Sequence, residues 1–95
     1  MKKEDIRAAL TIKNHSFTIQ GNEYVVRRPS VADLIAAAEE SKGKNNFAAW
    51  LVYNHLIDEQ GQQVFATIEE DIECDVRMIE KMADEIEPLY GEGRD

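Results

Sequence analysis

Between Ile12 and Arg28 apolar and polar residues alternate: Phe17 and Ile19, then a Gly21-Asn22 break, then Tyr24 and Val26. A period of two around a turn signal predicts a β-hairpin. With Gly21 and Asn22 as the two turn residues, Gln20 opposes Glu23, Ile19 opposes Tyr24 and Phe17 opposes Val26. All four apolar side chains then share one face. A lone hairpin is marginally stable in water, so this face must cover the helices that follow.

The period changes after Pro29. Ser30 is suited to cap a helix and Asp33 follows three residues later, as in a capping box. Val31, Leu34, Ile35 and Ala38 fall at i, i+3, i+4 and i+7, an apolar stripe that the pattern directs toward a core, and Lys42-Gly43-Lys44 marks a cationic helix end. From Asn45 to Ile57 the helical pattern has no polar face, because Phe47 to Tyr53 is apolar without a break and Leu56-Ile57 continue it. Such a helix is either the centre of a small bundle, the favoured reading, or it exposes an apolar patch.

Asp58 to Gln63 reads as a polar turn containing Gly61, and Val64-Phe65 as a hydrophobic hook against the helices. Thr67 and Glu70 form a second capping box, which opens a final helix with apolar positions Ile72, Val76, Ile79, Ala83, Ile86 and Tyr90 and a neighbouring row of Met78, Met82 and Leu89. This stripe suits ordinary core packing, with a homodimer seam as the alternative. Pro88 weakens the last turn, and residues 91–95 read as a frayed tail. Lys2 to Leu10 reads as a short helix or arm attached through Ile6 and Leu10. The predicted fold is a single α+β domain over residues 1–95, mostly helical, with an N-terminal hairpin (12–28) packed on a small three-helix bundle (30–90).

Charge narrows the functional classes. Nineteen Asp and Glu against eleven Lys and Arg give a net charge of -8, which repels phosphate backbones and anionic membranes and argues against nucleic-acid binding. The excess is lopsided: residues 1–57 hold eight basic and six acidic residues, net +2, and residues 58–95 hold three and thirteen, net -10. That half is either a solvated face or a docking surface for a basic partner. The lone Cys74 permits no internal disulfide and suits a reducing compartment. No apolar run reaches the 18 or so residues of a membrane span, and no signal-peptide core is present, so the expected location is the cytoplasm.

Candidate chemistry is sparse. His15 and His55 lie forty residues apart, and neither pairs with Cys74 at a zinc-binding spacing. Glu69, Glu70, Asp71, Glu73 and Asp75 crowd a helix start, where capping and solvation account for them, and the alternation and central glycine of a calcium loop are missing. Gly21, Gly43 and Gly61 stand singly, so no phosphate-cradling loop forms. The expectation is a protein-binding domain with no enzymatic role, cofactor or metal.

Three features in order, Arg28-Pro29-Ser30-Val31-Ala32-Asp33-Leu34 leading from strand to helix, the apolar Ala49-Trp50-Leu51-Val52 helix, and the acidic Gly61 turn with Val64-Phe65, resemble the tail assembly chaperones of long-tailed bacteriophages and prophages. The resemblance covers roughly Ile12 to Tyr90. It implies a cytoplasmic protein of the bacterial host that keeps the tape measure protein soluble, helps tail tube protein polymerise around it, and leaves before the virion is complete. Its client contacts would come from Phe47, Trp50 and Tyr53 or from Ile86, Leu89 and Tyr90. The competing reading is an acidic DNA mimic that inhibits a host nucleic-acid-binding protein, which the slightly basic first half disfavours.

Overall fold

A computed structural model describes residues 1–40 and 47–91. The chain runs α1 (Lys3–Ala9), β1 (Asn14–Ile19), β2 (Asn22–Arg27), α2 (Val31–Glu40), α3 (Phe47–His55), β3 (Leu56–Ile57), α4 (Ile68–Ile72), α5 (Val76–Ile86) and α6 (Pro88–Gly91). This is an α+β fold, mostly helical.

The hairpin forms, with its turn one residue earlier than expected. Ile19 pairs with Asn22, Phe17 with Tyr24 and His15 with Val26, so Gln20 and Gly21 occupy the turn with φ of 53° and 82°. Both values are positive, as a type I′ turn requires, and the second central position is where glycine fits best. The shift moves each partner by two residues, which preserves the face: Phe17, Ile19 and Val26 are buried and Tyr24 packs against them.

The long helix expected through Ile57 stops at His55. Leu56 and Ile57 instead pair antiparallel with Val26 and Val25, giving a three-stranded sheet of order β1-β2-β3. The chain then reverses through a turn built on Asp58, whose Oδ1 accepts from the N–H of Gln60 (2.8 Å) and of Gln62 (2.9 Å), with Gly61 at φ 80°. Phe65 packs on the core while Val64 is exposed, so only half of the expected hook engages.

The final helix is three pieces. Thr67 caps α4 as expected, accepting from the N–H of Glu70. The chain then breaks at Glu73-Cys74-Asp75, and Asp75 restarts it by accepting from the N–H groups of Arg77 (2.9 Å) and Met78 (3.1 Å). The core joins Phe17, Ile19 and Val26 of the sheet to Leu51 and Val52 of α3 and to Ile79, Met82, Ala83 and Ile86 of α5. The central role favoured for α3 is realised, since it packs on both α4 and α5.

Two expectations fail on the N-terminal side. α1 forms, but Ile6 and Leu10 are exposed and the helix has no buried residue. The predicted box does cap α2: Asp33 N–H donates to Ser30 Oγ (3.1 Å) and Ser30 N–H to Asp33 Oδ2 (2.9 Å). Its apolar stripe nevertheless faces outward, with Val31 75% and Ile35 67% exposed, and Ala37 is the one buried residue of the helix. The expected Lys42-Gly43-Lys44 helix end and the residues 92–95 of the predicted tail lie outside the described residues.

Candidate protein-binding surface

The six residues expected to meet a partner divide into three groups. Ile86 and Leu89 belong to the core: Ile86 is fully enclosed where α5 meets α3 and the sheet, and Leu89 of α6 is buried with it. Trp50 and Tyr53 are half-buried along α3. Trp50 stacks on Phe47 with ring centroids 5.8 Å apart, and the Tyr53 hydroxyl donates to the Ala66 carbonyl (3.4 Å). Phe47 and Tyr90 come together in space: with Leu34, Ala37, Ala38 and Glu87 they line an open cleft of about 390 Å³ between α2, the start of α3 and α6.

The outer lip of that cleft is α2. Val31, Leu34 and Ile35 of its apolar stripe form an exposed ridge. The signal was present in the i, i+3, i+4 spacing, but such spacing states that a face is apolar and leaves open what covers it.

Beneath the ridge runs a chain of polar groups. Arg27 grips Asp33 with two guanidinium nitrogens (2.6 and 3.2 Å), which ties the end of β2 to the first turn of α2. The carbonyl of Arg27 can only accept, so the 3.1 Å contact places a proton on His55 Nδ1. Nε2 of the neutral ring is then an acceptor, and the Tyr90 hydroxyl donates to it. Residues 27, 33, 55 and 90 are thereby linked across four elements.

The electrostatics fit this assignment. Burial lowers the pKa of His55, and the Arg27 charge pushes the same way, so the imidazole stays neutral near pH 7. Burial also raises the Tyr90 phenol above its usual value, with the Asp33 carboxylate adding to the effect. Burial alone would raise Asp33, but hydrogen bonds from Arg27 and from the Ser30 N–H outweigh it and hold the carboxyl at about 2. The string of groups is held by directed hydrogen bonds and one ion pair. Its geometry suits fastening α2 and α6 to the sheet.

Among the described residues, no three His, Cys, Asp or Glu side chains gather into a metal-binding group, and no helix is long and apolar enough to cross a membrane. No protein-family model, curated protein or solved structure matches this chain.

Proposed function

We propose that this protein is a tail assembly chaperone of a long-tailed bacteriophage or prophage. It binds helical segments of the tape measure protein and keeps them soluble while the tail tube protein assembles. The observation that supports this reading is the α2 ridge of Val31, Leu34 and Ile35 beside the cleft containing Phe47 and Tyr90. A helix held by polar bonds at its first turn, with its apolar face left open, offers a client helix the kind of groove-and-ridge contact through which amphipathic helices bind. The net charge of -8 favours keeping such a complex dispersed.

Co-expression with the tape measure protein tests it. The client moves from the pellet to the soluble fraction when this chain is present, and Ile35→Asp removes the effect while leaving the chaperone folded. Client solubility that is the same with and without this chain rejects the reading.

A further inference from the structure

The second exposed apolar area lies on the opposite half of the sequence. α4 and α5 meet α3 around a groove of about 220 Å³, whose walls include Ala48 and Ala49 of α3, Ile72 of α4, and Val76 and Ile79 of α5. Ile79 is buried, but Ile72 is 54% and Val76 66% exposed, so the apolar floor continues onto the surface. Two alanines on one wall allow close approach of another backbone. The volume falls below the roughly 300 Å³ of small-molecule sites and suits one or two inserted side chains.

The surroundings differ from those of the α2 ridge. Glu80 lines the groove, and Glu73 and Asp75 flank Cys74 in the turn between α4 and α5. Residues 69–81 hold six acids (69, 70, 71, 73, 75, 80) against Arg77 and Lys81, net -4. Asp71 also lines the groove; it is fully buried, and neither of its carboxylate oxygens has a hydrogen-bond partner among the described residues. A buried carboxylate without a donor is an unmet demand that an ammonium, guanidinium or amide from outside would satisfy.

We propose that the groove between α4 and α5 is a docking site for a basic amphipathic helix of another protein, with its apolar ridge on Ile72, Val76 and Ile79 and its cations on the surrounding carboxylates. One lysine or arginine wedges between α4 and α5 to reach Asp71. Apolar floor, acidic rim and unsatisfied carboxylate select the same partner chemistry. This site is separate from the α2 ridge and does not depend on the chaperone reading.

The probes are three synthetic peptides: a helix with a leucine ridge and lysine flanks, the same ridge with glutamate flanks, and a scramble of the lysine peptide that has no ridge. In an NMR titration of the full chain, the lysine helix binds saturably and moves the amide signals of Ala49, Ile72, Val76 and Ile79, whereas the other two bind at least tenfold more weakly. Val76→Asp lies at an exposed position and Glu80→Lys on the surface, so both fold, and each weakens the lysine helix at least fivefold. Asp71→Asn weakens it about tenfold, as expected for loss of a charged hydrogen bond, and Ile35→Asp leaves it unchanged. Equal binding of the scramble, indifference to Val76→Asp, or signals moving on α2 instead each overturn the proposal. So does a dimer in sedimentation equilibrium that Val76→Asp dissolves, because the occupant is then a second copy.

Discussion

α2 and α5 are both short amphipathic helices, each started by an aspartate close to its first turn, yet they use their apolar faces in opposite ways. In α5, Ile79, Met82, Ala83 and Ile86 are buried against the sheet and α3. In α2, Val31, Leu34 and Ile35 face outward, and the helix is held through Ser30, Asp33 and Arg27. The difference lies in what each helix meets. Phe17, Ile19 and Val26 present one apolar sheet face, and α5 with α3 fills it. Helical periodicity therefore reports a sticky face, whereas the rest of the chain decides whether that face is consumed or left over.

The sharpest test of this contrast is a matched pair of substitutions. Ile86→Asp places a charge in a fully enclosed site and abolishes the cooperative thermal transition, a loss above about 4 kcal/mol. Ile35→Asp shifts stability by less than about 0.5 kcal/mol in urea denaturation. Comparable losses for the two would show that α2 is packed after all.

A second test concerns the buried polar groups, one partnered and one not. Tyr90→Phe leaves His55 Nε2 without its donor and lowers stability by about 1–3 kcal/mol. Asp71→Asn acts in the opposite direction, since burial raises the Asp71 carboxyl above the usual carboxylate range to about 6. A carboxyl whose folded pKa lies above its unfolded one supports folding most when protonated. Its contribution is complete below about pH 4 and is lost as pH rises through 6. Denaturation at pH 7 therefore finds Asp71→Asn more stable than the parent by about 1–3 kcal/mol, with the gain vanishing near pH 4.

Asp33 has the reverse sign. Held at about 2 in the folded state, it supports stability at pH above about 4, and that support is lost as pH falls toward 2. Asp33→Ala lowers stability by about 1–2 kcal/mol at pH 7 through loss of the carboxylate that accepts from the Ser30 N–H and pairs with Arg27. Hydrogen exchange then speeds up in α2 while α5 is unaffected. The smallest effect is expected at the hairpin turn, where Gln20 has φ 53°; Gln20→Asn raises stability by about 0.5 kcal/mol, read from the thermal midpoint.

The hairpin, the Ser30 and Thr67 caps and the mixed class are legible from local signals, because each depends on residues within one turn or one strand pair. The turn slipped by one residue because Gln20-Gly21 and Gly21-Asn22 direct the same four side chains to the same face, and alternation cannot separate them. β3 was invisible: Leu56-Ile57 extends an apolar run too briefly to show a period of two. The break before α5 was signalled by Asp75, a good cap immediately ahead of an apolar residue, but the stripe read smoothly across it. Of the candidate surface, Phe47 and Tyr90 meet at a cleft, whereas Ile86 and Leu89 are buried in a core that also draws on Phe17, Ile19 and Val26 from the other end of the sequence. The polar chain was equally hidden, since His55 and Tyr90 are 35 positions apart.

Arg27 is the joint of that chain, with its side chain on α2 and its carbonyl on His55. The ring of Trp50 stands edge-on to His55, with centroids 6.4 Å apart, and it is the sole tryptophan of the chain. Any force that levers α2 away from the sheet pulls on Arg27, tilts the imidazole and changes the surroundings of the indole. The molecule thus carries its own optical gauge: emission from one fluorophore reports how firmly the outermost helix is seated, with no label attached.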